Sequence, residues 1–492
     1  MSGQTLPPVN RDWLIQRLRD ILPAHSICVE SDMLRGWECD GLSAIRQTPW
    51  LVVLPDTVAH VQAIVRLCRE HHVPVVARGA GTGLSGGALP HAQGVLLSLA
   101  KLKSILDIDP LARTARVQPG VRNLAVSQAV RQHGLYYAPD PSSQIACTLG
   151  GNVAENSGGV HCLKYGLTVH NILQVKIVSI DGELITLGST ALDTQGFDLL
   201  ALITGSEGLL GIVVDITLRL LPIPAHTQLV MAAFDDVERA ATTVGDIIAA
   251  GIIPAGLEMM DNPAIRAAEA FVHAGYPVDA AAILLCEIDG SQIEVDERIV
   301  QVETLLKQGG ATLIQRARND EERTLLWKGR KSAFPAVGRL APDYYCMDGT
   351  IPRRHLPNIL HKIKELSINY RLEVANVFHA GDGNLHPLIL YDANKEDELA
   401  RAEAFGADIL RLCVEAGGSI TGEHGVGVEK IDQMCVQFTN EELSCFHGIK
   451  HAFDPLALLN PGKAVPSLHR CAELGAMHVH GGQLPHPELE RF

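Results

Sequence analysis

Apolar positions recur along this chain with two spacings, one of two residues and one of three to four, and their succession is the first guide to the fold. From Trp50 a short apolar strand (LVVLP) is followed by a helical pattern from Val58 to His72, a second strand (PVVA) and a glycine-rich loop. The segment SILDIDPLARTARVQPG reads as strand, turn and strand, Val121 to Gly134 as a helix, and NILQVKIVSIDGELITLG as a hairpin around Asp181-Gly182. Strands adjacent in sequence predict a mixed sheet. At LLPIPAH (220–226) two prolines interrupt the pattern and a fresh series begins: strand Leu229 to Phe234, helix Val237 to Ala250, strand, helix, strand Ala281 to Ile288, helix Ile293 to Lys307. That order suits an antiparallel sheet with helices on one face. The expectation is an α+β protein in three parts: 1–224 (core about 47–224), 225–437, and 438–492. The last holds the DPLALLNPGK segment and a His- and Pro-containing tail with little periodicity.

Bulk composition narrows the partners. A chain of 492 residues with 47% hydrophobic content can build at least two cores, and a net charge of −15 with only short basic clusters (Lys328 to Lys331, Arg353-Arg354) disfavours nucleic acid and anionic membranes. Eleven cysteines without a C-x-x-C pair argue for a reducing compartment and against an iron–sulfur cluster in this chain. The first twenty residues mix charges with apolar positions, unlike a signal peptide, and no run approaches the roughly 18 apolar residues of a membrane span. The expected location is cytoplasmic.

The loop RGAGTGLSGG, straight after the PVVA strand, carries five glycines at 79, 81, 83, 86 and 87. Glycine lets backbone N–H groups face a phosphate unobstructed, and interleaved small residues make a concave nest. A nicotinamide-binding βαβ unit is a poor match, because Pro90 interrupts the following segment and Asp107 and Asp109 fall late, within a strand–turn–strand pattern. A ligand-free glycine turn would account for the loop alone. Two further small-residue segments weigh against that: PDPSSQIACTLGGNVAENSGGVHCLKYG (139–166) and LITGSEGLLGIVVDITLRLLP (202–222).

A hairpin supplies the other signal. In EVANVFHAGDGNLHPLILYD two apolar strands flank Asp382-Gly383, a dipeptide favoured in two-residue turns. With that dipeptide as the loop, Gly381 opposes Asn384, Ala380 opposes Leu385 and His379 opposes His386, so that two imidazoles share a face and could grip one metal. Glu423 and His424, in GGSITGEHGVGVEK, offer a third ligand and leave room for substrate. Paired strand histidines are also common as a polar surface or a hydrogen-bonded core pair. In WKGRKSAF, Arg330 could pair with a carboxylate in bidentate fashion, or belong to a solvated basic face.

Taken together, these segments resemble the FAD-linked 2-hydroxy-acid dehydrogenases, whose FAD-binding domain is of the vanillyl-alcohol oxidase and p-cresol methylhydroxylase type. The likeness covers nearly the whole chain and is nearest to the flavin subunits of bacterial glycolate oxidases. It implies a two-part FAD-binding domain with an α/β cap on an antiparallel sheet, residues 225–437, carrying the metal motif. By resemblance, Arg78, Gly79, Ala80, Gly81, Thr82, Gly83, Leu84, Ser85, Gly86 and Gly87 surround the pyrophosphate. Pro141, Ser142, Thr148, Gly150, Gly151, Asn152, Gly158, Gly159, Glu207, Gly208, Ile212 and Val213 flank the rest of the FAD, and Asn460 approaches the flavin. Some relatives tether FAD through a histidine in the first loop; this loop has none, which implies non-covalent FAD. HAGDGNLH and GEHG match the family's H-x-G-D-G-N-x-H and G-E-H-G motifs, implying one divalent ion (zinc, manganese or iron) on His379, His386 and Glu423. They also imply His424 as the proton acceptor and Arg330, rather than Lys328 or Lys331, on the substrate carboxylate. The 2-hydroxyglutarate branch has a hydroxyl residue and a lysine where this chain has Phe334 and Cys346, so small substrates, glycolate or D-lactate, are expected. The resemblance further implies partners, an iron–sulfur subunit and a second FAD-domain subunit of a glycolate oxidase complex, at the inner face of the cell membrane. The competing expectations are a D-lactate or D-2-hydroxyglutarate dehydrogenase acting alone, and a non-catalytic flavin-binding subunit.

Overall fold

The structure, a computed structural model, describes residues 9–191 and 196–466; the tail from 467 lies outside them. The N-terminal helix Arg11–Ile21 is capped by the Asn10 side chain and buries Leu14, Ile15 and Leu18 against the first sheet. That four-stranded sheet runs Ile27–Cys28, Leu51–Val53, Val95–Ser98, Val75–Arg78, the last three parallel. Its three parallel strands are apolar almost throughout, as strands covered on both faces must be. A second, antiparallel sheet orders Ile105–Asp109, Thr114–Val117, Ile212–Arg219, Ile172–Val178, Leu184–Gly188. The expected hairpin is there: Gly182 turns with φ +72° and Ser179 N–H donates to Glu183 O at 2.9 Å.

The third sheet has seven antiparallel strands in the order Leu313–Arg316, His226–Phe234, Ala282–Gly290, Gly256–Asp261, Val374–Phe378, Pro387–Tyr391, Asp343–Cys346. Helices cover both of its faces, where helices on one face were expected. Val237–Ala249, Gln292–Gln308, Leu356–Tyr370 and Glu398–Glu415 pack into one core, and Asn262–Val272 and Ala333–Val337 into another on the opposite side. The central strand Ala282–Gly290 shows why, being buried at eight consecutive positions rather than alternately. The chain then returns to its start: Val75 N–H donates to Leu458 O, and Asn460 N–H to Val75 O, both at 2.8 Å. No helix among the described residues is long and apolar enough to cross a membrane.

Candidate active site

A cavity of about 950 Å³ runs between the two small sheets and the seven-stranded one. Its wall includes Arg78–Leu84, Gly87, Pro141, Ser142, Thr148, Gly150, Gly151, Asn152, Glu207, Gly208, Ile212 and Val213 from the cofactor set, and His379, His386, Glu423 and His424 from the metal and base set. The remaining cofactor candidates stand behind the wall and shape it. Ser85 O accepts the N–H groups of Val428 and Glu429, Gly86 abuts Val428, Gly158 abuts the Glu423 carboxylate, and Gly159 abuts the Asp140 backbone. Asn460 Nδ2 donates to Gly87 O and Glu207 O at 3.0 and 2.6 Å, tying the glycine loop to the 207 turn. Two glycines in the loop are sterically required. A Cβ at Gly79 would collide with Thr148 Oγ1, and Gly81 has φ +69°, a left-handed backbone that favours glycine. Thr148 Oγ1, on the wall, is buried without a hydrogen-bond partner. A long glycine-lined cradle with an orphaned hydroxyl fits a dinucleotide.

At the far end, His379 and His386 do converge, but not in the expected register. Val374 pairs with Ile389, Ala375 with Leu388, Asn376 with Pro387, and His379 with Asn384, leaving Ala380 to Gly383 as a four-residue loop. His386 therefore lies across from Val377, not from His379. The side-chain period of two preserves the outcome, since slipping a pair by two residues keeps both histidines on one face as diagonal neighbours. Their rings sit 5.0 Å apart and nearly perpendicular. Glu423 Oε1 is 3.2 Å from His379 Nε2 and 3.0 Å from His386 Nε2. The ligand atoms of these three residues all lie within 4.8 Å of one another, a set that could hold a metal ion. Burial opposes charge on both partners, yet Glu258 and Glu423 hold His379 well above the ordinary histidine range, and His379 and His386 hold Glu423 well below the ordinary carboxylate range. The opposed shifts describe an imidazolium–carboxylate pair, and these nitrogen and oxygen atoms are also ones that a divalent ion could use once the proton leaves.

Asp348 fixes the GEHG turn. Its carboxylate accepts Thr421 Oγ1 and the N–H groups of Gly422, Glu423 and His424, the last at 2.8 Å. His424 stacks on His386 with centroids 4.8 Å apart, and its Nδ1 is buried without a partner. Burial lowers the His424 pKa to about 4 despite Asp348, so the ring is neutral, with a free lone pair but weaker basicity than an ordinary histidine. Glu258, which lies in no motif, joins two of these groups: Oε1 meets His379 Nδ1 at 2.9 Å and Oε2 meets Arg330 Nη2 at 2.6 Å. Arg330 is 1% exposed and stands behind the wall rather than on it. The helix Asp320–Lys331 turns Arg323, Trp327 and Lys331, spaced by four, toward the cavity and leaves Arg330 one position off that face. Lys331 is taken up by Asp140 at 2.7 Å, while Nε and Nη1 of Arg330 remain without partners.

His161 also reaches the wall, its two ring nitrogens 2.9 Å from Asp140 and 3.1 Å from Glu287. Burial disfavours the imidazolium, but the two carboxylates push its pKa up to about 10. A raised value stabilises the fold fully below the ordinary 6.5 and loses that contribution as pH rises through about 10. We expect His161→Gln to destabilise the protein by on the order of 2 kcal/mol at pH 6, with the gap to the wild type narrowing towards pH 10 in denaturant titrations. A gap independent of pH would contradict the charged bridge.

A mixed FAD-type cradle that opens onto a histidine–carboxylate cluster defines a flavin-dependent oxidoreductase. The chain belongs to the FAD-linked oxidases: residues 49–188 match the family "FAD binding domain" and 223–464 match "FAD linked oxidases, C-terminal domain". Within that family it is 63% identical over 487 residues to "Glycolate oxidase subunit GlcD" of Escherichia coli (strain K12), covering 99% of this chain and 98% of that one. The subunit of the same name in Bacillus subtilis (strain 168) is 40% identical, covering 86% and 90%. Among solved structures, p-cresol methylhydroxylase with substrate bound superposes with a TM-score of 0.79 over 93% of this chain and 97% of that one at 19% identity, which establishes the shared fold.

Proposed function

We propose that this chain is the substrate-oxidising flavin subunit of a glycolate oxidase, converting glycolate to glyoxylate and also acting on D-lactate. The observation that carries it is the His379, His386, Glu423 and His424 cluster on the same cavity wall as the glycine cradle. The identities to glycolate oxidase subunits support the substrate class.

FAD would be held non-covalently by the cradle, and supplies the hydride acceptor. His379, His386 and Glu423 would hold one divalent ion, whose chemistry there is to bind the hydroxyl and one carboxylate oxygen of the substrate. The residues do the rest. His424, neutral and with an unengaged Nδ1, accepts the hydroxyl proton. Arg330, behind the wall, is paired with Glu258, which also meets His379 Nδ1, so the guanidinium would serve the site by fixing the orientation of that histidine. Acid precipitation is expected to release all flavin into the supernatant; flavin fluorescence left on the polypeptide would overturn the non-covalent assignment.

The substrate panel is the deciding test. Phe334 lines the cavity 5.8 Å from the His386 ring, and Cys346 is buried in the same apolar cluster, so neither position offers a charged partner to a second carboxylate. With an artificial electron acceptor, kcat/KM should favour glycolate or D-lactate over D-2-hydroxyglutarate by more than about tenfold, the worth of one lost charged contact near 2 kcal/mol. Equal efficiency on the dicarboxylate would refute the assignment. The same reading divides the chain at 1–224, 225–437 and 438–492, and takes an iron–sulfur subunit and a second FAD-domain subunit as electron-carrying partners on the cytoplasmic face of the membrane.

A further inference from the structure

Beside the oxygen-and-nitrogen cluster lies a second donor set containing sulfur. Cys346 ends the strand Asp343–Cys346 opposite Leu388, which places it on the same face as His386, two residues away along the neighbouring strand. One ligand atom each from Cys346, His386 and His424 lies within 4.8 Å of the other two. The two imidazoles are already parallel, 8° between planes, and the buried Nδ1 of His424 has no hydrogen-bond partner. The cavity wall includes both histidines, while Cys346 is buried behind it with its Sγ 3.3 Å from Met347 O, a contact that an ion held by all three would replace. A thiolate with two imidazoles is a ligand set that selects borderline-soft ions such as Zn²⁺, whereas the carboxylate of Glu423 with two imidazoles also accepts harder ions such as Mn²⁺.

We propose that Cys346, His386 and His424 form a second metal site that takes Zn²⁺ and switches the enzyme off. On binding, the Cys346 S–H bond breaks, sulfur bonds to zinc, and the proton leaves through the cavity to solvent. No electrons are exchanged. His424 bonds to zinc through a ring lone pair, which is then closed to the substrate's hydroxyl proton. His386 belongs to both sets, so zinc here also draws on a residue of the first. The inhibitory consequence rests on His424 being the proton acceptor; the site itself does not.

The test uses FAD-loaded enzyme, stripped with a chelator, reloaded with Mn²⁺ and then titrated with Zn²⁺. Zinc-edge X-ray absorption should show one sulfur neighbour at about 2.3 Å, and glycolate oxidation should fall as that signal grows. Cys346→Ser should remove the sulfur neighbour and raise the half-inhibiting zinc concentration at least tenfold, with Cys346→Ala as a second variant and FAD absorbance reporting the fold of each. His379→Gln, which disables the first set, should retain sulfur-bound zinc. Zinc without sulfur at every loading, or unchanged zinc sensitivity in both Cys346 variants, would overturn the site. Sulfur-bound zinc with undiminished turnover would overturn the inhibition, and with it the role given to His424.

Discussion

Changing His424 to asparagine is expected to lower kcat by between about a hundredfold and ten-thousandfold while FAD stays bound. The expectation rests on how the turn is built. Asp348 grips the backbone N–H of residue 424, not its ring, so the variant keeps the hydrogen bond that shapes the GEHG turn and loses only the imidazole. Glu423 keeps its place between His379 and His386 for the same reason, since its own N–H is also held by Asp348. Stopped-flow flavin reduction by glycolate isolates the step. Reduction within tenfold of the wild-type rate would show that another group takes the proton.

Removing the divalent ion proposed for His379, His386 and Glu423 should be at least as damaging. Chelator treatment is expected to abolish glycolate oxidation and one equivalent of a divalent ion to restore it, with Glu423→Gln defeating restoration by more than about a hundredfold, since even outer-shell partners of metal ligands are worth 10–100-fold. The electrostatics give the reason: Glu423 is the carboxylate both imidazoles face, and without its charge a cation there loses the one anion shared by the two ring nitrogens. The chelator-treated protein should retain its flavin, because none of the three ligands belongs to the glycine cradle. Elemental analysis that finds no metal in fully active enzyme would end the proposal.

Much of this site was legible because its parts are local in sequence. The glycine loop, the histidine hairpin and the GEHG turn each carry their own backbone logic, and alternation along a strand fixed the face of His379 and His386 even though the turn holds four residues instead of two. What could not be read were contacts between distant strands. Glu258, buried on Gly256–Asp261, meets His379 only through the sheet order, and Asp348 meets the GEHG turn across 75 or so residues of chain. The place of Arg330 failed for a related reason. Adjacent helical residues point about 100° apart, so a cluster of basic side chains says that a cation is near but not which one faces the cavity.

The seam at Val75 has a consequence for biosynthesis. The strand Val75–Arg78 is an edge of its sheet, and its outer side is closed by Leu458 and Asn460. Those closing residues are translated some 380 positions later, which at ordinary elongation rates is roughly 20 to 80 seconds. Throughout that interval the nascent flavin cradle carries an open, apolar strand edge, the kind of surface that recruits other strands. The edge can be sealed only once residues 458 to 460 have been made, so the oldest sheet of the cradle is completed after the whole seven-stranded sheet has been synthesised.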